Sequence, residues 1–168
     1  MEQFSTLDRQ ASARLAIPGG ARLPRMLALV AAHSGDSPLW LLGGVVALIW
    51  GNTAWHDFGV RVLVGTLVAG TATAVLKWIF RRQRPPGKRR GFYSRFDRHA
   101  FPSGHAGRSA CLAVLLAPLL PPWGLVLLAA WVGLVGLARV ALEVHFASDI
   151  IGGWAVGVLA GLALRLAF

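Results

Sequence analysis

The chain has 168 residues, 55% of them hydrophobic and only 14% charged, with a mean hydropathy of +0.58; a soluble domain carries about 25% charged residues, so composition excludes an ordinary soluble domain and points to the membrane class. The net charge is +10 and the pI about 11.7, yet the basic residues are concentrated between Arg81 and Arg98, beside an apolar run. That placement favours anionic lipid headgroups and phosphorylated substrates as partners over nucleic acid, and the lone Cys111 excludes an intramolecular disulfide.

The length allows one domain of five or six spans. Met1–Pro18 is polar and mixed in charge, without the basic start and apolar core of a cleavable signal, so internal spans are expected to direct insertion. Residues 5–17 fit an amphipathic helix lying along the interface and ending at Pro18-Gly19-Gly20. Arg22–His33 is a second apolar stretch, too short for a span of about 20 residues, and Ser34-Gly35-Asp36 reads as a turn. Five spans are then expected: Pro38–Trp50, bracketed by Trp40 and Trp50; Trp55–Phe80; Gly104 to before Pro121-Pro122; Trp123 to about Leu142; and about Ser148 to Leu166. An irregular basic loop covers residues 81–100. Gly153, Gly157 and Gly161 recur every fourth residue in the last span, a pattern that permits close helix packing. The fold class is therefore an all-α integral membrane bundle with an N-terminal interfacial helix.

Three short stretches carry chemistry. Lys77 and Arg84 are seven residues apart, two helical turns, so both project from one face if the helix continues to Pro85. They suit either a phosphate clamp or interfacial snorkelling. Pro102-Ser103-Gly104-His105 precedes an apolar helix: Ser103 is a natural N-cap, Gly104 lets backbone approach closely, and the helix start favours an anion. An ordinary capped helix with an interfacial His105 fits as well. Arg139 is followed by His145 and Asp149, an i, i+4 pair that faces together if the turn is helical. A carboxylate on one imidazole nitrogen fixes the tautomer and leaves the other as a nucleophile, and ionisable groups beside membrane spans are costly and usually functional. His33, His56, His99, Asp97 and Glu143 fit solvated or interfacial positions. No metal-ligand spacing, GxGxxG or Walker loop is present.

Taken in order, Lys-x6-Arg-Pro, Pro-Ser-Gly-His and Arg-x5-His-x3-Asp resemble the type 2 phosphatidic acid phosphatase (PAP2) superfamily, over about residues 55–166. One departure is visible: the third block often begins Ser-Arg and here is Ala138-Arg139, which removes a hydroxyl near the phosphate. A weaker likeness, in Leu7-Asp8-Arg9 and Ser34-Gly35-Asp36-Ser37-Pro38-Leu39-Trp40, is to the small polyisoprenoid phosphate phosphatases. The resemblance implies an N-terminal interfacial segment, residues 1–36, and a transmembrane catalytic domain, residues 37–168. It implies that His145 attacks phosphorus, Asp149 orients it, and His105 protonates the leaving lipid oxygen and then activates water. Lys77, Arg84, Ser103, Gly104 and Arg139 would hold the phosphate oxygens. With cations in place of magnesium, no metal or cofactor is expected. The implied substrate is a lipid phosphate, a prenyl phosphate or diphosphate first, then phosphatidate or phosphatidylglycerol phosphate. A vanadate-dependent haloperoxidase and a non-catalytic lipid-phosphate binder are the alternatives.

With five spans, the N-terminus and the site share a side. Then 15 of the 17 Lys and Arg residues fall on that side, and only Arg61 and Arg165 lie opposite. Setting aside Lys77, Arg84, Arg108 and Arg139 as candidate site residues leaves 11 against 2. The positive-inside rule then places the site on the cytoplasmic face of the cell's inner membrane.

Overall fold

The computed structural model of the protein describes residues 2–85 and 98–168; most of the expected basic loop, with Asp97, lies outside them. The described residues form seven α-helices and no strand: α1 (Glu2–Arg14), α2 (Arg22–His33), α3 (Ser37–Trp50), α4 (Thr53–Phe80), α5 (Gly104–Leu116, extended by a 3-10 turn Ala117–Leu119), α6 (Pro122–Ala141) and α7 (Ala147–Arg165). Three of them, α4, α6 and α7, are long and apolar enough to cross a bilayer, while α3 is apolar but shorter.

The bundle is built around α5, nine of whose thirteen residues are buried. It packs most extensively against α7 and then α4, and α3 lies on α4. On α4 the buried residues Val62, Gly65, Thr66, Ala69 and Thr73 recur at helical spacing and form one inward stripe. Large apolar side chains such as Leu42, Ile49, Leu67, Leu127 and Leu159 point outward and are exposed, while the interior is rich in alanine and glycine. This inverted distribution suits lipid outside and small residues between helices.

The glycine stripe of α7 is where α5 comes closest. A Cβ on Gly153 would sit 2.5 Å from the Ser103 carbonyl oxygen, and one on Gly157 would overlap the Gly107 carbonyl. Gly157→Ala is expected to destabilise the bundle by about 1–3 kcal/mol through overpacking. Gly133→Ala, whose Cβ meets nothing within 4 Å, is expected to leave it unchanged; unfolding in detergent compares them.

Span two ends at Phe80, as expected, and does not continue to Pro85: Arg81 turns left-handed (φ 47°) and its N–H closes on the Lys77 carbonyl at 3.0 Å. Arg84 therefore leaves on a non-helical segment and does not share a helical face with Lys77.

Candidate active site

The starts of α5 and α7 meet at one end of the bundle, where the Ser103 N–H donates to the Asp149 carbonyl at 2.9 Å. Arg61 marks the other end, with its guanidinium 4.9 Å from the Phe168 ring and donating to the Leu115 carbonyl. Ser103 caps α5, and its Oγ accepts the Ala106 N–H at 3.5 Å. A Cβ on Gly104 would lie 3.8 Å from the Lys77 Nζ, so the end of α4 brings its ammonium onto the start of α5.

His145 lies in the turn between α6 and α7. Its own N–H and that of Val144 close back on the Arg139 carbonyl at 3.3 and 3.2 Å, which ties Arg139 to the same turn. The imidazole is 1% exposed. Its Nδ1 lies 3.5 Å from Asp149 Oδ2, an ion-pair distance without hydrogen-bond geometry. Such contacts are often long before substrate binds. Its Nε2 lies 3.5 Å from Arg84 Nη1, which also donates to the Val144 carbonyl at 3.0 Å. A guanidinium only donates, so Nε2 is the accepting nitrogen and the proton belongs on Nδ1, toward Asp149. Burial pushes the His145 imidazole well below its ordinary value, and the charges of Arg139, Arg84, Lys77 and His105 push the same way. It is neutral at pH 7, with the Nε2 lone pair available.

Asp149 is fully buried and multiply held. Its Oδ2 accepts the Phe146 N–H at 2.8 Å, and its Oδ1 accepts Arg82 Nη1 at 2.8 Å.

His105 has a carboxylate of its own. Its Nε2 lies 2.6 Å from Asp36 Oδ1, and His33 Nδ1 lies 2.8 Å from Asp36 Oδ2. The Ser34–Asp36 turn is pinned from three sides. Arg108 donates to the Gly35 carbonyl, Trp40 to the Ser34 carbonyl and Trp131 to the Ser34 hydroxyl, at 3.0, 2.8 and 2.9 Å. Burial raises the Asp36 carboxyl, but the hydrogen bonds from His105 and His33 outweigh it and bring it down to about 2. Asp36 is therefore an anion throughout the neutral range.

A cavity of about 490 Å³ is lined by Asp36, Thr73, Lys77, Gly104, His105 and Arg108, among others; His145, Arg84 and Arg139 do not line it. The structure thus gathers all eight predicted residues at one end of the bundle, with His105 on the open side and His145 behind Arg84. Glu143 is exposed, as expected. Sequence reasoning missed Asp36, Arg82, Asp8 and Ser148. The first two had visible signals, in a turn and a basic run, but nothing local showed their partners.

The family model of the PAP2 superfamily matches residues 58–168, and that stretch holds the Lys77–Arg84, Ser103–His105 and Arg139–Asp149 groups just described. The chain belongs to the PAP2 superfamily. Its fold is that of membrane PAP2 phosphatases. A solved structure described as the first transmembrane PAP2 type phosphatidylglycerolphosphate phosphatase, from Bacillus subtilis, superposes with a TM-score of 0.75 at 25% identity. The match covers 99% of this chain and 87% of that one. LpxE from Aquifex aeolicus superposes with a TM-score of 0.67 at 18% identity, covering 89% of each chain, and shares the fold. The PAP2 match begins at Phe58, so Asp8 and Asp36 lie outside it.

Proposed function

We propose that this PAP2 protein is a membrane lipid phosphatase that hydrolyses a lipid phosphate monoester or diphosphate through a phosphohistidine, without a metal ion. The observation that carries this reading is the geometry at His145: Arg84 3.5 Å from Nε2, Asp149 3.5 Å from Nδ1 and Arg139 in the same turn, with Lys77 against Gly104 at the neighbouring start of α5, which also carries His105. Cations around the His145 lone pair supply the electrostatic stabilisation that phosphoryl transfer requires, once Arg84 moves off Nε2 onto a phosphate oxygen.

In the first step His145 Nε2 forms a bond to phosphorus and the phosphorus–lipid oxygen bond breaks. The leaving oxygen takes a proton from His105, giving the lipid alcohol for a monoester, or the lipid monophosphate for a diphosphate. Asp149 balances the positive charge that appears on His145. For attack to occur, the Arg84 guanidinium, now against Nε2, must yield that place to phosphorus and move onto a non-bridging oxygen. In the second step His105 takes a proton from water, the hydroxide oxygen bonds to phosphorus, and the P–N bond breaks to return its electron pair to Nε2. Asp36 holds His105 Nε2–H and leaves Nδ1 as the nitrogen that exchanges the proton. Lys77, Arg139, Ser103 and the Gly104 amide complete the oxygen contacts.

A prenyl phosphate or diphosphate is the preferred substrate, on the likeness of the Asp8 and Asp36 segments to polyisoprenoid phosphate phosphatases. The activity printed for the Bacillus subtilis structure supports phosphatidylglycerol phosphate as the second reading. The excess of Lys and Arg on the N-terminal side supports a cytoplasmic site in the inner membrane. Phosphate release by the detergent-purified chain from prenyl phosphate, prenyl diphosphate, phosphatidate and phosphatidylglycerol phosphate, with EDTA present, tests these statements. We expect the fastest turnover on a prenyl substrate and no effect of EDTA. Fastest turnover on phosphatidylglycerol phosphate favours the second reading, and an EDTA loss restored by magnesium contradicts the metal-free mechanism.

A further inference from the structure

The reaction above uses nothing from α1, yet α1 is bonded into the site. The first amides of α7 have no partner within their own helix, and the N-cap residue Phe146 offers no side-chain acceptor. Two side chains of α1 accept from them instead. Ser12 Oγ takes the Ala147 N–H at 2.9 Å and Asp8 Oδ1 takes the Ser148 N–H at 3.1 Å. Asp8 Oδ2 accepts the Ser148 hydroxyl at 2.5 Å and Arg82 Nη2 at 2.6 Å. The same guanidinium reaches on through Nη1 to Ser148 Oγ at 2.6 Å and Asp149 Oδ1 at 2.8 Å, and its Cζ lies 4.7 Å from the Phe146 ring centroid. Past α1, the Ile17 N–H fastens to the Ala141 carbonyl at 3.0 Å.

We propose that Asp8 is a positioning residue for the nucleophilic pair: α1 caps α7 from a distance and, through Arg82 and Ser148, fixes where the Asp149 carboxylate stands against His145. The inference rests on the reading of His145 as nucleophile. Its physical content is the sharing of one guanidinium between two carboxylates. Burial raises the Asp8 carboxyl, but the bonds from Ser148 and Arg82 outweigh it and hold it below its ordinary value, so Asp8 is charged at neutral pH. With Asp8 neutral, Arg82 is left to Asp149 and Ser148, drawing Oδ1 toward itself and carrying Oδ2 away from His145 Nδ1. With Arg82 removed, two neighbouring carboxylates repel and Asp149 loses its anchor. Outer hydrogen-bond partners of metal-site ligands typically change activity by about 10–100-fold, and an effect on that scale is expected of Asp8 here.

The full-length chain in detergent is the test system, assayed with an aryl phosphate and a long-chain alkyl phosphate. Asp8→Asn is expected to lower kcat about 10–100-fold while KM stays within about twofold and the melting temperature changes little; Asp8→Glu restores part of kcat. Gln10→Ala, at an exposed site on the same helix, matches the wild type. The Asp8→Asn/Arg82→Gln double variant is expected to be no slower than the slower single variant, because the two act through one contact. ¹⁵N-histidine NMR adds a readout that needs no turnover: wild-type His145 holds its proton on Nδ1, and Asp8→Asn gives a mixture of tautomers. An Asp8→Asn enzyme with wild-type kcat, additive losses in the double variant, or lost activity with an unchanged His145 signal overturns the proposal. If the wild type releases phosphate from neither substrate, the phosphatase reading fails, and the tautomer comparison still decides the role of Asp8.

Discussion

His145→Ala is expected to lower kcat by on the order of 10⁴- to 10⁶-fold, the scale on which an enzyme loses its nucleophile, with the fold intact. The side chain is buried and neutral, so its removal takes away the lone pair without leaving an unpaired charge. Lys77, Arg84 and Arg139 remain to bind the anion, so affinity for a non-reacting phosphate analogue such as orthovanadate is expected to fall far less than turnover. Steady-state phosphate release together with vanadate inhibition measures both. A His145→Ala enzyme with near-normal phosphate release would remove the nucleophile from the mechanism.

The second large effect is that of His105→Ala, and it depends on the leaving group. General acid–base catalysis contributes about 10²- to 10⁴-fold, and a loss of that size is expected with an alkyl phosphate, whose alkoxide needs a proton to depart. A nitrophenyl phosphate departs without one, so its first step survives and the second, attack by water, becomes limiting. In the proposed mechanism the Asp36 carboxylate, 2.6 Å from Nε2, supports His105 as acid in one step and base in the next. Equal losses in the first-step rate, read from the burst of alcohol or nitrophenol, would show that His105 shapes the site without moving a proton.

Much of the fold is legible because its boundaries are chemical. Arg22–His33 is bounded by Gly20 and Ser34-Gly35, and Pro122–Ala141 starts on the second proline of a pair, so apolar run and helix coincide. The three site blocks are legible for a related reason: each is a helix end, where a short stretch of sequence fixes both a cap and a charged group. What escapes is long-range. Arg81, Arg82 and Arg84 read alike in the basic run, yet their fates differ. Arg81 folds over the exposed Trp78 ring, Arg82 bridges Asp8 and Asp149, and Arg84 stands against His145. Arg81 is also the left-handed residue that ends α4; no glycine or proline marks it, so the sequence leaves open a continuation to Pro85 that would put Lys77 and Arg84 on one face. Asp36 reads as part of a turn signal and Asp8 as one residue of an amphipathic helix, because an aspartate in either setting is ordinary; their weak likeness to the polyisoprenoid phosphate phosphatases names no partner for either. Their partners lie 69 to 140 residues away, beyond any local spacing rule.

In the proposed mechanism His145 and His105 act on one phosphorus from a shared cationic site. Rapid-quench labelling of His105→Ala with a ³²P-labelled aryl phosphate tests it most directly, since the surviving first step should load the enzyme while the crippled second step keeps it loaded. The expected result is a near-stoichiometric label that survives alkali, is lost in acid and maps to His145. A label on any other residue, or steady turnover of the variant with no trapped intermediate, would contradict it.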